Sequence, residues 1–326
     1  MKVLIVLNPA AGKNARDLIL ESVLRNFTSS SIEYEIYETL QGDKIGDIIR
    51  TKLDQKFDLV VAVGGDGTVS AVIDGLVGKL VPIAIIPSGT GNLVARELNI
   101  PLDIEEAVTL VTGAHKFRKI DSMRIGQRVY SLNVSVGISA SVIGGTSHQN
   151  KSRFGRIAYF WTAILKIFTF RNRLMSVIVD GKTHRGRTVE VTISNCGLLS
   201  KILYPKGPDV RIDDGHLDVW ILSSKTLLDY PLYLFQMITR RPARHLSHFI
   251  NAQKSVSIKS RMPLPLQADG DIIGTTPVVV EVLPSALEVL VPVTPLLKPD
   301  RDLDRERIMA QYLSNVGHTG KRKLPN

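Results

Sequence analysis

Two glycine-rich segments of this chain carry the residues best suited to chemistry. The first, VAVGGDGTVSAVIDGL, occupies residues 61–76, and the second, PSGTGNLVARELNIP, occupies residues 87–101. Each lies between an apolar run and a helical pattern. Glycine has no side chain to pack and costs conformational entropy on folding, so repeated glycines indicate that another group approaches the backbone. Because N–H groups at a helix start attract anions, both segments predict a phosphate or nucleotide site.

Neither segment is one of the common nucleotide-binding motifs. The stretch PAAGKN at residues 9–14 lacks the leading glycine and the final Ser or Thr of a Walker A loop. The stretch GTGNLV lacks the third glycine of the dinucleotide fingerprint. A tight strand-to-helix turn without a ligand would explain one such loop, but two neighbouring loops indicate the two sides of a cleft. The pattern favours a nucleotide site of another type.

A late acidic segment, PLQADGDIIGTTPVVVEVLP at residues 265–284, places Asp269 and Asp271 on either side of Gly270. An Asp-Gly pair between apolar runs is typical of a hairpin turn. A carboxylate is also a common general base, provided that it lies within hydrogen-bond reach of the proton that it removes. From these residues alone, the turn and the base both stay open as interpretations.

The elements that would position these segments alternate regularly in the first hundred residues. Strands are predicted at residues 2–7, 33–38, 57–63 and 81–86, and helices near residues 15–27, 43–54, 69–77 and 92–99. Strand and helix in alternation predict a Rossmann-like parallel sheet with right-handed crossovers. Ligands bind such sheets at the carboxyl ends of the strands, where both glycine segments fall.

The pattern changes after about residue 118. Short alternating runs occupy residues 128–136, 174–180, 188–194, 216–222, 254–259 and 277–291. They predict a mainly antiparallel, β-rich second domain. We therefore divide the chain into a nucleotide-binding α/β domain at 1–120 and a β-rich substrate domain at 121–294. The segment 295–326 is free to pack back on the first domain.

The composition favours a soluble, cytoplasmic protein. The 326 residues are 44% hydrophobic and 22% charged, which suits two domains with proper cores. The single cysteine, Cys196, excludes a disulfide framework and favours a reducing compartment. The first residues are typical of a strand rather than a signal peptide, and no stretch reaches the roughly 18 to 20 apolar residues of a membrane span. The net charge of +10 favours anionic partners such as nucleotide, nucleic acid or anionic lipid.

Four motifs, taken in order, resemble those of the diacylglycerol kinase catalytic superfamily. They are NP..G after the first strand, GGDGT after the third, PSGTGN after the fourth and the late Asp-Gly-acid segment. NAD kinases and phosphofructokinases have related GGDGT loops, but the order of the later motifs fits lipid kinases better. The resemblance implies ATP and Mg²⁺ as cofactors and a lipid alcohol such as diacylglycerol as acceptor, bound by the β-rich domain. Nucleic acid is not an expected partner.

The resemblance also implies roles for individual residues in nucleotide binding. The residues that would contact ATP are Asn8, Thr39, Gly64, Gly65, Asp66, Gly67, Thr68, Gly89 and Thr90. Asp66 would also act on Mg²⁺, directly or through water. Leu93 stands where many bacterial members have an aspartate, an acid that sphingosine-type members also lack.

Further residues are implied to act on the acceptor or on metal. Asp271 would be the general base, although the family usually has glutamate there. Asp121 aligns with an acid that faces the cleft, whereas a strand-edge acid in solvent is the plainer interpretation. A second, structural Mg²⁺ would be held by the side chain of Asp214 and the carbonyls of Arg211 and His216, in a stretch that is equally compatible with a simple turn. Arg96 and Lys13 would hold lipid head groups.

Membrane contact is expected to be peripheral. The segment 151–173 is apolar and aromatic with basic ends, and it is too short to span a bilayer. It either lies in the interface of an anionic membrane or forms a core helix. We expect an ATP-dependent diacylglycerol-type kinase, for which a homodimer is one compatible state. A kinase of sphingoid bases or other lipid alcohols, and a catalytically silent lipid- or nucleotide-binding regulator, remain the alternatives.

Overall fold

The computed structural model describes residues 1–9, 15–140, 173–203, 207–223 and 247–293. Its first half is built on four parallel strands: β1 (Lys2–Leu7), β2 (Glu33–Glu38), β3 (Leu59–Gly64) and β4 (Ile83–Pro87). They are ordered β2-β1-β3-β4. Strands β1, β3 and β4 are buried almost throughout, as continuous apolar runs between two helical layers must be.

Helices cover both faces of this sheet: α1 (Ala15–Ser29), α2 (Ile45–Lys52, continued by a 3₁₀ turn at Leu53–Gln55), α3 (Asp66–Leu76), α4 (Leu93–Glu97) and α5 (Ile104–Thr112). On one face, Phe27 of α1 and Val108 of α5 join the core. On the other face, Ile49, Ile73 and Val94 of α2, α3 and α4 do so. The alternation of strand and helix predicted a parallel sheet, and the structure confirms it.

The second half is rich in antiparallel strands, as predicted. Its elements are β5 (His115–Ile125), β6 (Arg128–Tyr130), β7 (Asn133–Gly137), β8 (Arg173–Val179), β9 (Lys182–Ser194), α6 (Gly197–Leu203), β10 (Leu217–Ser223), β11 (Ser247–Ala252), β12 (Ser255–Ser260), β13 (Pro265–Ala268), β14 (Asp271–Thr275) and β15 (Val278–Pro292). Their inward side chains form a core of their own. Among the described helices, none is long and apolar enough to cross a bilayer.

Strand β15 joins the two halves into one continuous sheet. Its first part pairs with β12, and its last part pairs antiparallel with β5. Val289 of β15 also lies beside Ile83 of β4 in parallel register. The chain therefore already returns to the first half within β15. The predicted division at residues 120 and 121 falls inside β5 and stays a prediction, and the segment 295–326 lies outside the described residues.

Buried Glu190 of β9 makes stability depend on pH. Glu190 is 5% exposed. Its carboxylate accepts hydrogen bonds from the Ser139 N–H (3.1 Å) and from the Ser139 hydroxyl. Burial raises the pKa of Glu190 to about 8 from 4.5. Because the folded-state pKa is the higher one, this group stabilises the fold fully below pH 4.5, and the contribution is lost as pH rises through 8.

Glu190→Gln is therefore expected to flatten the pH dependence of stability. Between pH 6.5 and 8, the free energy of unfolding of the wild type should fall by up to about 1.4 kcal/mol per pH unit through this group. The Gln variant has no proton to lose at this position, so its slope in that range should be smaller by the contribution of Glu190. Urea unfolding at several pH values measures both slopes. Equal slopes would contradict the assignment to Glu190.

Candidate active site

Three predicted nucleotide residues meet at the carboxyl ends of the parallel strands. Asn8, just after β1, donates from Nδ2 to the Thr68 hydroxyl over 3.0 Å, and its N–H donates to the Val63 carbonyl. The N–H of Thr39, just after β2, donates to the Leu7 carbonyl over 2.8 Å. Residues from three separate loops thus lie at one edge of the sheet, the edge where ligands bind in such folds.

The two glycine loops pack backbone against backbone. A Cβ atom on Gly89 would clash with the Cα of Gly65, and one on Gly64 would clash with Thr68. A Cβ on Gly91 would clash with the Asp66 carboxylate. These glycines are therefore required by contacts within the protein. Gly67, in contrast, is exposed and faces open space, so it is the glycine that leaves room for a ligand.

Asp66 connects the first glycine loop to the second. It is the first residue of α3, and its Oδ1 accepts the N–H of Leu93 at the start of α4 over 2.6 Å. Burial raises the pKa of Asp66 to about 6, and the negative charge of Asp269 adds to the effect. Two neighbouring carboxylates disfavour ionisation of each other, and a bound cation relieves that repulsion.

The second loop contains buried polar atoms that have no partner among the described residues. Asn92 has a left-handed backbone (φ 50°), and its Nδ2 donates to the Gly89 carbonyl over 2.8 Å. The Oδ1 of Asn92 and the hydroxyl of Ser88 are buried without a hydrogen-bond partner in the described structure. Buried groups of this kind are usually completed by water or a ligand. The sequence analysis missed Ser88 and Asn92, although both lie within the PSGTGN motif.

Two other predicted site residues, Thr90 and Arg96, lie in the second glycine loop and in α4. Thr90 is exposed at the tip of the second loop. Arg96 is half-buried and donates from Nε to the Gly91 carbonyl over 3.0 Å, so it also supports the loop. Lys13 and the segment 151–172 lie outside the described residues.

The late acidic segment is a hairpin that reaches the first glycine loop. Asp269 and Gly270 form the two-residue turn between β13 and β14, with φ angles of 46° and 94°. This left-handed pair is the arrangement that tight hairpins favour. The Asp269 carboxylate accepts the Ser70 hydroxyl of α3 over 2.5 Å. Asp271 follows the turn as the exposed first residue of β14.

Asp121 is buried and makes hydrogen bonds to the loop at 211–216 and to β15. It is 1% exposed, and its two carboxylate oxygens accept the N–H groups of Gly215 and Ser285, both over 2.7 Å. Its own N–H donates to the Ile212 carbonyl over 2.7 Å. Asp121 therefore fixes the loop at 211–216, and the solvent-exposed alternative does not hold. A metal role for Asp121 stays a prediction.

The loop at 211–216 holds the three residues predicted for a structural metal. Arg211 is exposed and donates from Nε to Asp213 over 3.2 Å. His216 lies beside Asp214, with 3.2 Å between its Nδ1 and the carboxylate. Burial raises the pKa of Asp214. Over the described ranges, no three His, Cys, Asp or Glu side chains are grouped to hold a metal ion, so a site here would depend on backbone carbonyls.

Two family models together match most of the chain. The diacylglycerol kinase catalytic domain matches residues 2–125, and the YegS C-terminal NAD kinase beta sandwich-like domain matches residues 132–291. The chain belongs to the diacylglycerol kinase catalytic superfamily. The expectation drawn from the four motifs is confirmed.

Relatives agree with membership of this superfamily, and a solved structure shares the fold. A diacylglycerol kinase of Staphylococcus carnosus is 28% identical over 284 residues, covering 84% of this chain and 89% of the relative. One of Staphylococcus saprophyticus is 27% identical over 287 residues, covering 84% and 90%. A crystal structure of a diacylglycerol kinase from Bacillus anthracis has a TM-score of 0.68 at 20% identity, covering 90% of this chain and 98% of that one. At 20% identity, this crystal structure shows a similarity of fold alone.

Asn195 is a buried residue that links parts of the candidate site, and the sequence analysis missed it. Its Nδ2 donates to the carbonyls of Asp121 (2.9 Å) and Ser131 (3.0 Å). The Ser131 N–H in turn donates to Asp269 over 3.0 Å. Asn195 thus connects the loop at 211–216 to the acidic hairpin. Nothing in the local sequence distinguishes it from an ordinary residue at a strand end.

Two further carboxylates tie the helices of the glycine loops to the β-rich half. Asp74 of α3 accepts the N–H of Val129 in β6 over 2.8 Å. Glu97 of α4 accepts the N–H of Leu198 in α6 over 2.9 Å. Buried hydrogen bonds to charged acceptors are among the stronger ones in proteins. Hydrogen bonds from the predicted substrate domain therefore fix both helices in position.

Proposed function

We propose that this protein is an ATP- and Mg²⁺-dependent lipid kinase that transfers the γ-phosphate to a hydroxyl group of a diacylglycerol-like lipid. The observation that carries the proposal is the bond between Asp269 and Ser70, because it holds the Asp271 hairpin beside the helix that begins at Asp66. Relatives named diacylglycerol kinase across most of the chain support the choice of acceptor.

The nucleotide would lie at the carboxyl edge of the parallel sheet. Its phosphates would face the N–H groups at the start of α3, beside exposed Gly67. The residues proposed to contact it are Asn8, Thr39, Gly64, Gly65, Asp66, Gly67, Thr68, Gly89 and Thr90. Ser88 and Asn92 offer further polar atoms from the second loop.

Asp66 is the carboxylate proposed to hold Mg²⁺. A single carboxylate suits this ion, which in kinases is held by one or two carboxylates together with phosphates and water. When bound, Mg²⁺ neutralises charge on the transferring phosphate. The charge of Asp269 near Asp66 makes a cation favourable there. Asp214, with the carbonyls of Arg211 and His216, is proposed as a separate structural site.

Asp271 is proposed to accept the proton of the lipid hydroxyl. The hydroxyl oxygen attacks the γ-phosphorus, its proton passes to the Asp271 carboxylate, and the bond from phosphorus to the β-phosphate oxygen breaks to release ADP. Exposure at the start of β14 leaves the carboxylate accessible to such a group. Phosphoryl transfer depends mainly on position and charge stabilisation, so the placement of this carboxylate is what matters most.

The enzyme would meet its lipid substrate at the cytoplasmic surface of a membrane. The excess of basic residues, with a net charge of +10, favours peripheral contact with anionic lipid. Arg96 and Lys13 are proposed to lie near the head group. A sphingoid-base kinase is the second candidate, because Leu93 occupies the position at which sphingosine-type members also lack an acid.

Transfer of radiolabelled phosphate from ATP to lipids in mixed micelles tests the proposal. The panel contains diacylglycerol, ceramide, a sphingoid base and a monoacylglycerol. Preferential labelling of diacylglycerol is the expected result. Labelling of the sphingoid base instead would favour the second candidate. Absence of labelled lipid throughout, with ATP bound, would leave a silent binding protein and refute the kinase.

Thr90→Val is expected to weaken ATP binding without changing affinity for lipid. Loss of one hydrogen bond, about 0.5–1.5 kcal/mol, should raise the Kd for ATP about two- to twelvefold. Calorimetric titration with ATP and vesicle sedimentation measure the two affinities. Thr183→Val, at another exposed threonine on β9, is the control and should change neither. Weaker lipid binding with unchanged ATP binding would reverse the assignment of the two sides of the cleft.

A further inference from the structure

The chain contains the same hairpin unit twice. Asp180-Gly181 joins β8 to β9, and Asp269-Gly270 joins β13 to β14. The φ angles are 47° and 86° in the first turn and 46° and 94° in the second. In both, the aspartate adopts the left-handed conformation that these turns require.

The two aspartates also make matching backbone contacts. The Asp180 carboxylate accepts three consecutive N–H groups, those of residues 253–255, over 2.7 to 2.9 Å. The Asp269 carboxylate accepts those of residues 131–133, each over 3.0 Å. The N–H of each aspartate donates to the carbonyl of the third residue, Ser255 or Asn133. Three N–H groups per carboxylate are sufficient to fix a turn, so the shared contacts explain the folding of both hairpins.

One contact of the aspartate side chain distinguishes the two units. Asp269 Oδ2 also accepts the hydroxyl of Ser70, whose residue is 8% exposed. Ser70 lies on α3 one turn after Asp66, and residues four apart share a helix face. Asp180 is exposed and lies on a turn between two strands of the β-rich half. The extra bond therefore joins the acidic hairpin to the helix of the first glycine loop.

We propose that Ser70 and Asp269 form a positioning pair that sets Asp271 at the correct distance from the first glycine loop. The inference rests on the proposed kinase function. Neither residue acts on the lipid or the phosphate. Asp269 lies two residues before Asp271, so a shift of the turn moves the start of β14 directly. A displacement of about 1 Å at a reacting group can cost about 10²-fold in rate.

Ser70→Ala is the sharpest variant, because it removes one hydroxyl and leaves all three backbone contacts of Asp269 in place. We expect kcat to fall about tenfold or more, with the KM for ATP and the Tm close to wild type. Asp269→Asn should also lower kcat. The double variant should be little worse than the more severe single one, because both remove the same bond.

Asp180→Asn is the matched control, since it alters the same carboxylate in the twin hairpin. It should lower the Tm about as much as Asp269→Asn and leave kcat unchanged. A second measurement is independent of turnover: amide hydrogen exchange in residues 265–275 should accelerate in Ser70→Ala and not in Asp180→Asn. Wild-type kcat together with wild-type exchange in Ser70→Ala would overturn the positioning role. If the wild type is inactive and exchange is accelerated in Ser70→Ala, the proposed kinase function is refuted, but the bond between α3 and the hairpin is still shown to hold the hairpin in place.

Discussion

Asp66→Asn is expected to lower kcat by about 10²- to 10³-fold while the protein stays folded, the size of loss seen when one preorganised charge contact to a transition state is removed. Asn keeps an oxygen that accepts the Leu93 N–H, so the connection between the two glycine loops survives. What it lacks is the negative charge that would hold Mg²⁺ beside the phosphates. Binding of ATP without metal should change little.

Asp66→Ala separates the two roles of this carboxylate. Alanine removes both the charge and the acceptor for the start of α4, so kcat should fall as far as in the Asn variant and the Tm should fall further. Lipid phosphorylation with titrated Mg²⁺ and thermal unfolding measure the two effects. Wild-type turnover in a folded Asn variant would exclude Asp66 from the metal site.

The parallel half of the fold was predictable because its signals are local. An apolar run fixes β1 at Lys2–Leu7, and an alternating run fixes β2 at Glu33–Glu38, the bounds that the sequence predicted. Helix α3 begins at Asp66, three residues before the predicted start. The apolar period begins only at Val69, whereas the helical hydrogen bonds already start from the Gly65 carbonyl. Apolar periodicity indicates which face of a helix is buried, but it does not detect a first turn made of polar residues.

The role of the glycines could be predicted only in part. Conformational freedom indicates that something approaches the backbone, but it does not say what. For Gly65 and Gly89 the approaching group is the other loop. Such a contact joins the ends of two separate strands, so it follows from the packing of β3 beside β4 and cannot be derived from either segment alone.

The acidic hairpin shows the same limit. The Asp-Gly pair correctly predicts a turn, and both turn residues adopt the expected left-handed backbone. The partner of Asp269 on α3 is 199 residues away in the chain, and no local pattern identifies it. The sequence therefore presented turn and base as competing interpretations of one segment. In the structure Asp269 makes the turn and Asp271 follows it, so the proposed base lies outside the turn.

This separation makes Asp271→Asn a clean test of the general base. The substitution is nearly isosteric, lies outside the turn and changes an exposed side chain. Stability and ATP affinity should therefore stay close to wild type. An amide cannot take the proton of the lipid hydroxyl, so kcat should fall by about 10²-fold or more. Steady-state phosphorylation of diacylglycerol micelles with saturating ATP measures the loss.

Asp271→Glu tests whether the site is fitted to the shorter acid. Glutamate is the residue usual in the superfamily, and it still accepts a proton. If the Ser70–Asp269 bond sets the start of β14 for an aspartate, the extra methylene moves the carboxylate away from the hydroxyl, and kcat should fall, though less than in Asp271→Asn. A kcat above wild type would mean that the hairpin is placed for glutamate. Near-normal kcat in Asp271→Asn would remove the base from this position altogether, because the only other carboxylate of the hairpin, Asp269, already accepts four hydrogen bonds.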